Sequence, residues 1–336
     1  MDVSKIFDAL NDAQREAVGA TPGPMLVLAG AGSGKTRVLT YRIAYLVQAL
    51  QASPYSILAV TFTNKAASEM RRRIEDFLGF SVRGMWIGTF HGLSHRLLRD
   101  HHELAGLPSG FEILDSDDQY RVIRRALREM NLDEEHWPPR QVQWFINSQK
   151  EEGRRSAALH GTGDAHQQTL IRVYTHYEET CKRLGLVDFA ELLLSALELL
   201  EQNQSLRENY QQRFQHVLVD EFQDSNTIQY RWLKCLALAH GQIMAVGDDD
   251  QSIYGWRGAR IENMAQLQKD FAGTEVVRLE QNYRSTGNIL KAANAVIDLN
   301  PDRMGKNLWT EGDDGEPIRV YGALDELDEG RFVIDR

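Results

Sequence analysis

MLVLAGAGSGKT, residues 25–36, is the stretch that decides the architecture. Met25–Ala29 is a short, wholly apolar run of the kind that forms a strand buried on both faces. A glycine-rich turn follows, and then Leu39, Ile43, Leu46, Val47 and Leu50 recur at helical spacing. Strand, small-residue loop and helix in that order make a cradle for phosphate. The loop amides and the helix N-terminus supply positive partial charge, and residues without bulky side chains let the backbone close on the anion. The candidate contacts are Ala29, Gly30, Ala31, Gly32, Ser33, Gly34, Lys35 and Thr36. Lys35 has the reach for β- and γ-phosphates, and the Thr36 hydroxyl suits Mg²⁺. The strict pattern opens with Gly where this chain has Ala29. A glycine-rich turn without chemistry is the bland alternative, and the flanking strand and helix argue against it.

Working outward, Ile57–Phe62 and Trp86–Phe90 read as further buried strands, as do Val217–Asp220, Ile243–Gly247 and Val276–Leu279. Strands alternating with helical patterns imply an α/β domain with a mostly parallel sheet. From about Leu93 to Phe214 the strand signal disappears. DQYRVIRRALREMN and DFAELLLSALELLEQN have helical periodicity there, while EEGRRSAALHGTGDAHQQ reads as a mobile loop. The expected architecture is one α/β domain interrupted by an all-helical insertion. Beyond Leu279, QNYRSTGNILKAANAVI reads as loop and helix, IRVY as a strand, and DELDEGRFVIDR as the start of a helix. The chain stops inside that pattern, so a longer natural chain is expected.

The 336 residues are 42% hydrophobic and 26% charged, which argues against a disordered, collagen-like or membrane protein. The net charge of −10 is uneven: residues 1–100 carry twelve basic and eight acidic side chains, +4, leaving −14 for the rest. A coat of positive charge is excluded, but a local groove for a polyanion is not. Cys181 and Cys235 are far apart and have no metal-ligand spacing. Reduced thiols fit them better than a disulfide. With no signal-like apolar N-terminus and no stretch near the ~20 residues a span requires, a cytosolic protein is expected.

Two further segments carry chemistry. HVLVDEFQD, residues 216–224, sets Asp220 and Glu221 at a strand's C-terminal end, where open α/β sheets bind ligands. Asp220 suits the metal, commonly through water, and Glu221 suits activation of an attacking water. In VGDDDQSIYGWRGA, residues 246–259, Gln251 is placed to sense a γ-phosphate. Tyr254 and Trp256 suit stacking on bases or an ordinary core, and the segment alone leaves both open. Arg121, Arg124, Arg125 and Arg128 share one helix face, read as solvated rather than DNA-bound. His95, His101, His102, His160 and His166 show no ligand pattern.

Taken in order, LNDAQREAV, AGAGSGKT, AVTFTNKAASEM, GTFHGLSHRLLR, VDEFQD, VGDDDQSIYGWRGA and LEQNYRST resemble the UvrD/Rep/PcrA group of superfamily 1 DNA helicases. Seven motifs in sequence are far more specific than any one. The resemblance implies a P-loop, RecA-like motor domain from residues 1–90 and 215–280. It also implies a helical accessory insertion at 91–214 and the start of a second RecA-like domain at 281–336. It further implies ATP and Mg²⁺ as cofactors and 3′-to-5′ movement on single-stranded DNA and at junctions with duplex. Work in DNA repair and replication, repair proteins as partners, and self-association are implied too. By position, Gln14 reads adenine, Arg37 and Tyr283 pack around the base, Arg73 lies near the nucleotide, and Arg284 is an arginine finger. Arg71 and Arg72 are expected to be solvated. Phe62, Tyr254 and Trp256 line base pockets, with Thr61, Asn64, Thr89 and His91 along the strand path. The helicase subunit of a recombination nuclease–helicase is one alternative. Another is a module that binds nucleotide and single-stranded DNA without turnover, expected of residues 1–336 alone.

Overall fold

The computed structural model describes residues 4–160, 164–301 and 303–336. In chain order its strands are β1 (Met25–Ala29), β2 (Ile57–Thr61), β3 (Trp86–Thr89), β4 (Glu112–Ile113), β5 (Leu186–Val187), β6 (His216–Val219), β7 (Ile243–Gly247) and β8 (Glu275–Leu279). Six of them form one sheet in the order β3-β2-β6-β7-β1-β8, with every neighbouring pair parallel. The α/β expectation holds.

The pleat explains how continuous apolar runs serve a two-sided sheet. Leu26 and Leu28 of β1, Leu58 and Val60 of β2, and Val217 and Val219 of β6 enter one core. Their neighbours Val27, Ala59 and Leu218 enter the other, because successive side chains point to opposite faces. The helices Lys35–Gln48 and Asn64–Leu78 contribute to the second core. Phe90–Asp100, Phe189–Gln202 and Thr227–Ala237 contribute to the first. Both ends of the helical stretch between β3 and β6 therefore pack on the sheet. A third core, built on Ile123, Leu127, Ile146, Val173, Tyr174 and Tyr177, belongs to Ser116–Glu129, Pro139–Glu151 and Ala165–Leu184.

Three sequence readings need correction. The helical stretch contains one short ladder, β4 beside β5. The stretch read as a mobile loop is largely ordered: Glu151 ends a helix, Ser156–Ala158 forms a 3₁₀ turn, and the next helix opens at Ala165. Arg155 anchors it, 2.6 Å from Glu198, 2.7 Å from Glu191 and 3.2 Å from Glu178. Gly161–Gly163 lie outside the described residues. Finally, Ile318–Tyr321 is not a strand: it is exposed and has no ladder partner among the described residues. Without an adjacent sheet edge to pair with, its backbone groups stay bonded to water.

Candidate functional site

The loop between β1 and the helix Lys35–Gln48 turns through Gly32 and Gly34, whose φ angles are +68° and +94°. Only glycine takes such values without strain. Ser33 is fully buried, and its hydroxyl donates to the Gly30 carbonyl at 2.7 Å, which ties the loop to itself. Gln14 reaches the loop from the helix Asp12–Gly19, donating to the Ser33 carbonyl at 2.8 Å. Residues after β8 lie directly upon the loop. Asn282 Nδ2 donates to the Ala31 carbonyl at 2.5 Å, and the Tyr283 amide to the Gly32 carbonyl at 3.0 Å. A Cβ at Gly32 would sit 2.7 Å from that of Arg284, so close approach adds a second reason for glycine. Asn11 Nδ2 donates to Gln281 Oε1 at 3.0 Å and to the Tyr283 hydroxyl at 2.8 Å.

Gln14, Tyr283 and Arg284 thus gather around the phosphate loop. Arg37 stands on the first turn of its helix, with its guanidinium 5.5 Å from the Tyr41 ring centroid. Arg73 pairs with Glu69, one turn away on its own helix. Arg71 departs from the solvated reading: its guanidinium donates to the Ile87 carbonyl at 2.9 and 3.1 Å. Arg72 is exposed beside Asp76.

At the end of β6, Asp220 is 3% exposed and its Oδ2 lies 3.5 Å from the Thr36 hydroxyl. Burial, then the neighbouring Glu221, pushes the Asp220 carboxyl up to about 6. Two hard oxygen donors, one an anion whose burial a cation would relieve, fit Mg²⁺. Glu221 adopts φ +50°, ψ +45°, a conformation that non-glycine residues rarely take and that clusters at functional sites. Its carboxylate lies 3.5 Å from Lys35 Nζ, and Gln251 Oε1 lies 3.5 Å from the same ammonium. Lys35, Thr36, Asp220, Glu221 and Gln251 therefore converge from three loops on one edge of the sheet.

Gln223 was missed by sequence reasoning. Its amide donates to Glu221 at 2.9 Å and accepts from the Asp248 amide at 2.9 Å, linking the loops after β6 and β7. A polar residue two places beyond the acidic pair carries no periodic signal, so only the fold reveals it.

Beside this cluster runs a groove of about 1020 Å³, with Glu221 and Gln251 in its wall. Thr61, Phe62, His91, Tyr254 and Trp256 also line it. Trp256 is 71% exposed and Tyr254 38%, which removes the core reading of these two rings. Their centroids are 6.4 Å apart, and the Arg257 guanidinium sits 4.7 Å from the Trp256 ring. The Phe62 ring meets Phe90 edge-on at 5.7 Å. His91 meets Phe189 in the same way, and burial holds its imidazole below the ordinary value. Thr89 and Asn64 are not in the groove wall. The Thr89 hydroxyl accepts from the Gly92 amide at 3.1 Å, capping a helix, and Asn64 is exposed at the start of another.

The groove continues onto the helical stretch through Trp144, Asn147, Phe189 and Glu151. None of them stood out in the sequence, because their helices are amphipathic and these residues lie off the fully buried face. Burial, then Glu152, pushes the Glu151 carboxyl up to about 7. The four arginines on the helix Ser116–Glu129 form no free basic face. Arg121 pairs with Asp118, Arg125 with Glu129, and Arg124 and Arg128 with Glu134.

Comparison with known proteins agrees with this geometry. Residues 10–272 match the UvrD/REP helicase N-terminal domain, and residues 277–336 match the UvrD-like helicase C-terminal domain. DNA helicase II of Escherichia coli is 60% identical over 336 residues, covering all of this chain and 47% of the relative. DNA helicase II of Haemophilus influenzae is 57% identical over 99% of this chain and 46% of its own length. The ATP-dependent DNA helicase PcrA of Leuconostoc citreum is 45% identical over 99% of this chain and 45% of its length. The chain spans about half the length of the curated relatives it matches. With the phosphate loop, the acidic strand end and the glutamine loop in one cleft, and with both family matches lying end to end along it, the chain belongs to the UvrD/REP helicase family.

Proposed function

We propose that the protein is an ATP-driven 3′-to-5′ translocase that separates DNA strands, working from single-stranded DNA and its junctions with duplex in repair and replication. One observation carries this reading. Glu221 and Gln251 belong at once to the phosphate cluster and to the wall of the aromatic groove. A change at the γ-phosphate is therefore felt where a base would stack.

In this reading Lys35 and the amides of residues 29–36 hold the triphosphate, and Lys35 meets the charge that grows on the γ-phosphoryl group. Thr36 and Asp220 hold Mg²⁺, which when bound neutralises phosphate charge and fixes its orientation. Glu221 takes the proton of the attacking water, and Gln251 registers whether the γ-phosphate is present. Gln14, Arg37, Arg73 and Tyr283 surround the base and ribose, and Arg284 faces the phosphates as the finger. Tyr254, Trp256 and Phe62 stack on bases without regard to sequence, and Thr61 and His91 follow the strand. Residues 1–90 and 215–280 form the motor unit, 91–214 the accessory layer, and 281–336 the beginning of the second unit. Repair proteins and further copies of the chain are its proposed partners.

The test is ATP hydrolysis by the natural protein with and without single-stranded DNA, together with unwinding of duplexes carrying a 3′ or a 5′ tail. DNA-stimulated hydrolysis and a requirement for the 3′ tail are expected. Hydrolysis indifferent to DNA, or unwinding only from a 5′ tail, would sink the reading.

A further inference from the structure

After β8 the chain turns back across the edge of the sheet and inserts Lys306 among three consecutive carboxylates. Lys306 Nζ lies 2.6 Å from Asp248, 2.5 Å from Asp249 and 2.6 Å from Asp250, and its side chain is 1% exposed. Arg303 adds a bidentate pair to Asp250 at 2.8 and 2.9 Å, and the Met304 amide donates to Asp249 at 2.8 Å. The three carboxylates stand within 4.8 Å of one another, close enough to gather a cation. An ammonium from the chain itself already occupies that position. The cluster is a socket for a lysine.

Gln251 follows these aspartates directly. Its Nε2 donates to Asp248 Oδ2 at 2.5 Å, while Lys306 contacts Oδ1 of the same carboxylate. Gln251 Oε1 in turn lies 3.5 Å from Lys35 Nζ. A continuous polar path thus runs from Lys306 through Asp248 and Gln251 to the phosphate loop. Asp248 and Asp249 are almost fully buried, and carboxylates packed this closely cannot all stay ionised in place without a cation between them. Without the ammonium the loop must open or take up a proton. Either change moves the oxygen that orients Gln251.

We propose that Lys306 is a positioning residue for ATP hydrolysis: acting through Asp248, it holds Gln251 toward the phosphate loop and joins the segment after β8 to the γ-phosphate sensor. This rests on the reading of Gln251 as that sensor. Whatever displaces Gln251 at turnover then pulls on Lys306, which gives nucleotide state a route into the chain beyond β8. A staple that merely holds residues 303–309 to the sheet would stabilise the fold without governing turnover.

The test compares Lys306→Met and Lys306→Arg in the natural protein. In Lys306→Met, kcat for DNA-stimulated ATP hydrolysis should fall about tenfold or more, with KM for ATP and single-stranded DNA affinity changed by less than about threefold. Lys306→Arg, which keeps a cation in the socket, should recover much of kcat. Amide exchange at Gln251 and Ser252 should quicken in the Met variant, because both amides bond to the carbonyls of the socket loop. If Lys306→Met folds poorly, Lys306→Met with Asp249→Asn removes one buried anion along with the cation. It should regain melting temperature but not kcat. An unchanged kcat in either folded variant overturns the proposal, as does a kcat loss matched by equal losses of nucleotide and DNA affinity. If the unaltered protein shows no hydrolysis, the reading of the site fails first. Amide exchange then still decides, since unchanged exchange in Lys306→Met overturns the latch.

Discussion

Asp220 shows the cost of building the cluster. Its carboxyl is pushed up to about 6 by burial and by Glu221, against an ordinary value of 3.8. A carboxyl raised on folding binds its proton more tightly in the native state, so the ionised form destabilises the free protein above about pH 6. Asp220→Asn should therefore raise the melting temperature of the nucleotide-free protein at pH 7, by ~1–3 kcal/mol of stability. The gain should shrink as pH falls below 6, and Mg²⁺-dependent nucleotide binding should be lost. A calorimetric scan at pH 5 and pH 7.5 checks both parts, and destabilisation at the higher pH would contradict the burial argument. Lys35→Ala removes the ammonium that faces Glu221 and Gln251, so hydrolysis should vanish and binding of an ATP analogue should weaken. Glu221→Gln keeps the shape without the base, so it should bind Mg²⁺·ATP normally and lose most turnover. Equal losses of affinity in both variants would show that the two residues have not been told apart.

At the scale of elements, the loops at the C-terminal edge of the sheet divide the work. The loop after β7 ends in two exposed rings, a poor arrangement for stability and a good one for stacking. Trp256→Ala should weaken single-stranded DNA binding by ~1–3 kcal/mol, with similar losses for oligonucleotides of different sequence. Titration with labelled oligo-dT and a mixed sequence measures this, and a loss confined to one sequence would argue for base readout instead. In the helical layer, Arg155 serves three glutamates from other segments. Removing it leaves Glu178 and Glu198 partly buried without their cation, while Glu191 keeps Lys150 at 2.8 Å. Arg155→Ala should therefore cost ~3–5 kcal/mol in a denaturant melt. It should leave nucleotide affinity unchanged, because no part of the network touches the phosphate loop.

Across the whole molecule, the phosphate cluster and the aromatic groove share Glu221 and Gln251, and coupling between two binding sites is reciprocal. The factor by which a non-hydrolysable ATP analogue changes single-stranded DNA affinity should equal the factor by which DNA changes analogue affinity. Gln251→Ala should bring both factors toward one while each ligand still binds. Titrations in both orders supply the comparison, and unaltered coupling in this variant would place the connection elsewhere.

What the sequence determined by itself was whatever repeats locally or is set by residue type. Buried strands were visible as apolar runs, and the phosphate loop as small residues between strand and helix. The acidic pair stood where a strand ends, so Lys35, Thr36, Asp220, Glu221 and Gln251 could be named before any of them was seen together. Other features depend on pairing across long separations, which no local period encodes. The Arg155 network, the capture of Lys306 by Asp248–Asp250 and the bond from Gln223 to the Asp248 amide are of this kind. Local reading also erred where tertiary context prevailed. Ile318–Tyr321 had the composition of a strand but no edge to join. Only the tertiary structure decided whether Trp256 lay inside or outside, because an aromatic ring satisfies a core and a stacking surface equally well until its neighbours are known.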